Sequence, residues 1–143
     1  MKLYRIGSFL SRCRVPFLPT FFDILIRLVH NSAVYSETKI GKGTIFGYGG
    51  ISVVIHKNSV IGESCVIGSN VTIGGKSGSP GVPVIGDGVY IATGAKILGN
   101  ISIGSGSVIG ANAVVIRDVP QNAVVAGVPA KVIKIGIDSK KYL

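Results

Sequence analysis

Aliphatic residues return at every sixth position through most of this chain. Ile61, Ile67 and Ile73 hold the step, and Ile85, Ile91, Ile97, Ile103, Ile109 and Val115 hold it again after a gap. Glycine mostly follows, as in Ile61-Gly62, Ile67-Gly68, Ile85-Gly86 and Ile103-Gly104. An α-helix keeps one face apolar at a period near 3.6 and a strand at a period of 2, so neither accounts for a strict step of six. A chain that bends after each short strand does. Three such strands close a triangular coil of about 18 residues with the aliphatics inside, and the glycines are expected to give the backbone its freedom at the bends. The pattern predicts a parallel β-helix, an all-β fold.

The register also shows where the coil is broken. Running backwards it meets Ile40 and Phe46, after which the next inward residue is Ile55, three residues late, so a small loop leaves the prism there. Between Ile73 and Ile85 the step is twelve, and the run from Gly75 to Gly81 is predicted to be extruded as a second loop. Loops on a rigid scaffold are where binding groups usually sit. Residues 1–32 read as an amphipathic helical segment. Leu3, Ile6, Phe9, Leu10 and Cys13 fall at helical spacing, and a second helix starts near Thr20 and runs through Phe21, Ile24, Leu25 and Leu28. Residues 33–118 are the coils. Residues 119–143 form a tail in which Pro120 and Pro129 are expected to stop strand pairing.

Composition narrows the reading. A stacked coil accounts for 47% hydrophobic residues without a membrane span, and the longest apolar stretch, Val15 to Val29, is interrupted by Pro16, Pro19, Asp23 and Arg27. Cys13 and Cys65 have no metal-type spacing and no disulfide pattern, which points to a reducing, cytoplasmic compartment and to no metal. Fifteen Lys and Arg stand against six Asp and Glu. The cations cluster at the two ends, with Lys2, Arg5, Arg12, Arg14 and Arg27 before the coils and Arg117, Lys131, Lys134, Lys140 and Lys141 after them. Such a surface attracts phosphate groups. Trp is absent and the tyrosines are scattered, which argues against nucleic acid.

The stretch from Ile109 to Ile133, containing Ile109-Gly-Ala-Asn-Ala-Val-Val and Ala126-Gly-Val-Pro-Ala-Lys131, resembles the closing signature of hexapeptide-repeat acyltransferases. Val71-Thr-Ile-Gly-Gly75, Gly94-Ala-Lys-Ile-Leu-Gly99 and Gly49-Gly-Ile-Ser-Val-Val-Ile-His56 resemble more narrowly the serine acetyltransferase branch and its polysaccharide-modifying relatives. The resemblance implies a left-handed β-helix, a homotrimer, and acetyl-CoA as acyl donor in the cleft between prisms. It also implies that Gly74, Gly75, Ala92, Thr93, Gly94, Ala95 and Ala111 let the pantetheine arm run close to the backbone and take amide hydrogen bonds, and that Arg117, Lys131 and Lys134 face the CoA phosphates. Bend geometry and a solvated terminal surface are the plain alternatives for these two groups.

The chemistry implied is direct transfer, in which a His takes the proton of an acceptor hydroxyl as its oxygen attacks the thioester. The branch carries that His at the place of Tyr48, an Asp at the place of Gly47, and a second His just before the proline at Val82-Pro83. All three are missing here. Tyr is a poor base near neutral pH, so His56 is the candidate base, with a surface turn residue as the alternative, while Tyr48 walls or hydrogen-bonds the acceptor. His30 reads as a helix C-terminal residue. The missing serine-side marks and the basic amphipathic leader favour a sugar or glycolipid hydroxyl in surface-polysaccharide synthesis, with peripheral association at the inner membrane face. The alternatives are serine O-acetyl transfer in cysteine biosynthesis and an inactive trimeric scaffold. The leader itself is either a membrane-surface element or a helical cap over the open end of the prism.

Overall fold

The computed structural model describes residues 1–142, the side chain of Lys140 excepted. Two helices, α1 (Lys2–Arg12) and α2 (Leu18–His30), precede the coils. The first coil consists of β1 (Ala33–Val34), β2 (Lys39–Ile40) and β3 (Ile45–Phe46), and the second of β4 (Val54–Ile55), β5 (Val60–Ile61) and β6 (Val66–Ile67). The third is β7 (Thr72–Gly74), β8 (Val84–Ile85) and β9 (Tyr90–Ile91), and the fourth β10 (Lys96–Leu98), β11 (Ser102–Ile103) and β12 (Val108–Ile109). The chain ends through β13 (Val114–Val115), β14 (Ala123–Ala126) and β15 (Lys131–Ile135). Strands three apart stack in parallel and make three sheets. Sheet A is β1-β4-β7-β10-β13, sheet B is β2-β5-β8-β11, and sheet C runs from β3 through β6, β9, β12 and β14 to β15. The architecture is a left-handed parallel β-helix with two N-terminal helices.

The inward aliphatics form one column per sheet, registered as Val34, Ile55, Ile73, Ile97 and Val115 in sheet A. All the six-step residues from Ile40 to Val115 are buried. A second inward row stands two residues before each of them: Val53, Cys65, Val71, Val89, Ala95 and Ala113 are fully buried. These mostly small side chains fill the prism corners, with Ile101 the larger member of the row before Ile103. Ala95 therefore points into the core and not toward a cleft. Burial also pushes the Cys65 thiol above its ordinary range.

Two expectations change. The glycines after the aliphatics do not need left-handed backbone; that conformation falls three residues before the inward residues of sheets A and C, as at Asn70, Gly94 and Gly88. What requires glycine at those positions is the approach of the next coil. A Cβ on Gly41 would lie 2.5 Å from the carbonyl carbon of Gly62, and one on Gly86 would lie 2.7 Å from the amide of Ser105. The prolines do not end the sheet either. After Pro120 the chain re-enters sheet C as β14, and after Pro129 it folds back as β15, antiparallel to β14. Both prolines sit outside these strands, where no ladder amide is lost.

The helices cap the open end of the prism. The Tyr4 hydroxyl donates to the Thr38 carbonyl, and the Arg5 guanidinium donates to the carbonyls of Ile40, Gly41 and Thr44. Ile26 of α2 is buried with them.

The glycine argument predicts a contrast. Gly41→Ala should lower unfolding free energy by ~1–3 kcal/mol through overpacking. At Gly74 an added Cβ meets nothing within 4 Å, so Gly74→Ala should stay within about 0.5 kcal/mol of wild type. Denaturant titrations giving equal losses for both would contradict it.

Candidate functional site

The three corners of the prism are not equivalent. Every turn from sheet B to sheet C opens on glycine, at Gly41, Gly62, Gly86 and Gly104, and at each a Cβ would collide with the coil above. Side chains there tie coil to coil: Asp87 Oδ1 accepts from the Glu63 amide at 2.8 Å, and Ser105 Oγ accepts from the Asp87 amide at 3.0 Å. This corner is closed wall. The turns at the two edges of sheet A begin with varied residues, namely Tyr35, His56, Gly74, Leu98 and Ile116 on the exit side and Gly47, Gly68, Ala92, Gly110 and Ala126 on the entry side.

Both interruptions of the repeat fall on these edges. At the entry edge Gly47–Gly50 forms a short 3-10 turn in which Tyr48 takes φ 50° and lies 80% exposed. At the exit edge residues 75–81 project as an exposed loop, pinched by a bridge between Lys76 and Ser79. The base of that loop packs on Asn100, which leaves no room for a Cβ at Gly81.

The predicted site residues divide between the same two edges. His56, Gly74, Gly75 and Arg117 lie on the exit side of sheet A, and Tyr48, Ala92, Thr93, Gly94 and Ala111 on the entry side. About six residues of extended chain, ~15–20 Å, separate the edges within one coil. One prism does not bring them together. Gly74 and Gly75 are unobstructed, with no neighbour within 4 Å of a Cβ at the first and only the Gly81 carbonyl oxygen, at 3.7 Å, near the second. Several of the amides expected to serve a ligand are already used. Ala92 N–H donates to Ile109, Gly94 N–H to Ser69 and Ala95 N–H to Ala92. Lys131 and Lys134 are exposed on β15, paired opposite Ala126 and Val124.

His56 is half-buried at the exit edge, and its Nδ1 accepts from the Asn58 amide at 3.1 Å. In a neutral ring that bond leaves the proton on Nε2, so the outward nitrogen is a donor. His30 is the last residue of α2, the helix end that the sequence suggested. Its ring lies against the entry-edge turn, where a Cβ on Gly49 would be 3.8 Å from Nδ1. It thus stands beside the Tyr48 turn, where the resemblance expects a His. Eighteen residues lie between His30 and Gly49, and no local pattern links them; the only signal was that the chain has just two histidines. Among the described residues no cluster of three or more His, Cys, Asp or Glu is gathered as a metal site.

Residues 83–117 match the family model described as bacterial transferase hexapeptide (six repeats). Those residues carry hexapeptide repeats of the kind that model describes. The chain is 37% identical over 132 residues to the serine acetyltransferase of Synechococcus elongatus, covering 91% of this chain and 54% of that protein. It is 43% identical over 135 residues to the serine acetyltransferase of Staphylococcus aureus, covering 93% of this chain and 60% of that one. A solved structure of Brucella abortus serine acetyltransferase in complex with coenzyme A superposes with a TM-score of 0.87 at 31% identity, over 95% of this chain and 55% of that chain. The hexapeptide-repeat chain thus spans about half the length of the relatives it matches.

The His56 geometry has a direct readout. ¹⁵N chemical shifts, recorded at a pH where the ring is neutral, should place its proton on Nε2; a proton on Nδ1 would contradict the bond to Asn58.

Proposed function

We propose that this chain carries the catalytic coils of an acetyl-CoA-dependent O-acetyltransferase that works as a homotrimer. The observation that carries the proposal is the division of candidate residues between the two edges of sheet A. Three prisms that turn sheet A toward a common axis set the exit edge of one against the entry edge of the next. Acetyl-CoA lies in that cleft, its pantetheine arm passing Gly74 and Gly75 and its phosphates meeting Arg117, Lys131 and Lys134. Transfer is then direct: a base takes the proton of the acceptor hydroxyl, the oxygen bonds to the thioester carbon, and the carbon–sulfur bond breaks to release CoA.

Serine is the acceptor that the relatives' names support. A sugar acceptor, expected from the sequence, has no counterpart among the relatives named above. It is kept as a second reading on one observation: Gly47, Tyr48 and Val82 stand where the branch carries Asp, His and His. The base is either His30 beside the Tyr48 turn or His56 at the exit edge, which serves once its Nδ1 releases the Asn58 amide and its proton leaves Nε2.

Three measurements test this. Sedimentation should give a particle of three chain masses, and a monomer at micromolar concentration would remove the shared cleft. Lys131→Ala should raise the dissociation constant for CoA ~10-fold, the scale of one charge-assisted hydrogen bond, and binding should weaken as salt rises; salt-independent binding would contradict the phosphate contact. Thioester cleavage with acetyl-CoA against serine and against nucleotide- or lipid-linked sugars identifies the acceptor, and turnover with none of them favours a scaffold. In the same assay the base variant, His56→Ala or His30→Ala, should lose at least ~10² in kcat with CoA affinity unchanged. Equal retention of activity by both variants would exclude either His as base.

A further inference from the structure

Helix α2 buries one side and leaves an apolar stripe on the other. Ile26 faces the prism, while Phe17, Phe21, Ile24 and Leu28, spaced by four, three and four, fall on the opposite side and are 86%, 59%, 54% and 77% exposed. A helix that caps a small domain normally turns its polar side to water. Here the outer side is the apolar one. Phe9 and Ile6 add exposed apolar surface on α1. Exposed apolar surface of this kind marks an interaction site.

The charges around the stripe say what covers it. Lys2, Arg12, Arg14 and Arg27 are exposed on α1, on α2 and in the turn between them. The only acid in the first 30 residues is Asp23, and its carboxylate is turned inward to the amide and hydroxyl of Ser36. Arg5 is likewise spent on the carbonyls of Ile40, Gly41 and Thr44. Arg12 shares the grooves over the first two coils with Glu37 and Glu63, so what remains outside is a Phe- and Leu-rich stripe fringed by Arg14 and Arg27. A second copy of the same segment would set like charges against one another, which disfavours self-pairing. An anionic lipid surface satisfies both features, because the rings enter the acyl boundary while the cations stay among the headgroups. Among the described residues no helix is long and apolar enough to cross a membrane, so the contact is along the surface.

We propose that the helical cap docks the protein on anionic membrane surfaces through Phe17, Phe21, Ile24 and Leu28, with Arg14 and Arg27 holding the headgroups. One segment then has two sides: the inner closes the prism and the outer brings the cleft to the bilayer. The proposal is independent of which hydroxyl accepts the acyl group.

The test is vesicle flotation of the full chain at low salt, with phosphatidylcholine vesicles and with vesicles that also contain phosphatidylglycerol. The protein should float with the anionic vesicles and much less with the neutral ones, and added salt should release it. Phe21→Asp with Leu28→Asp should weaken binding at least ~10-fold, since burying one such side chain is worth that factor or more. Arg14 and Arg27 changed together to Gln should remove the preference for anionic vesicles. Circular dichroism and sedimentation of the variants should match wild type. Failure to float with either vesicle, or flotation untouched by the Asp variants, overturns the proposal. So does a change of oligomeric state in the Asp variants, which would assign the stripe to a contact between copies.

Discussion

Everything in this molecule depends on how closely one coil can sit on the next. Ladder hydrogen bonds fix the spacing along each sheet, and at the turn from sheet B to sheet C the backbones come near enough that Gly41, Gly62, Gly86 and Gly104 leave no room for a single carbon. A chain stacked so tightly has few places to vary. It lengthens or changes residue type at the corners where fewer turns are pressed by the next coil, Gly68 being an exception with a Cβ position 2.6 Å from the Thr93 amide nitrogen. Those places are the two edges of sheet A, and there both loops, both histidines and most of the predicted site residues are found.

The same constraint explains what was legible in the sequence. The step of six between Ile61, Ile67 and Ile73 reports a side chain that must point inward once per face, so the parallel β-helix, its register and both interruptions could be read directly, while its left hand came from the family resemblance. The second inward row was not legible. Most of its residues, among them Val53, Cys65, Val71 and Ala95, share only smallness, and smallness at a turn reads equally well as room for a ligand. Ala95 was read that way and lies in the core. Glycine after the aliphatic was likewise legible as a requirement while its cause was not, because a bend that needs left-handed backbone and a corner that needs empty space leave the same mark on a sequence.

The chemistry was legible as residue types and not as an arrangement. Period six places His56 and Gly74 after sheet A and Tyr48 and Ala92 before it, yet the distance between these edges becomes apparent only when the coils close. The position of His30 beside Gly49 depends on how α2 docks on the first coil, through Ile26 and Asp23, and no repeat encodes that. The cap illustrates a related point. The helical spacing of Phe21, Ile24 and Leu28 correctly signalled a helix, but the buried side proved to be that of Ile26, and the stripe that announced the helix faces outward.

The central claim is that the working cleft joins the exit edge of one prism to the entry edge of its neighbour. Subunit mixing tests it most directly. Gly74→Trp should block the exit edge and Ala92→Trp the entry edge, and each variant alone should transfer no acyl group. Trimers reassembled from an equal mixture should regain roughly a quarter of wild-type activity, because that share of the interfaces pairs two intact edges under random assembly. A mixed population as inactive as its parents, with trimers formed, would place the whole site within one prism and contradict the account.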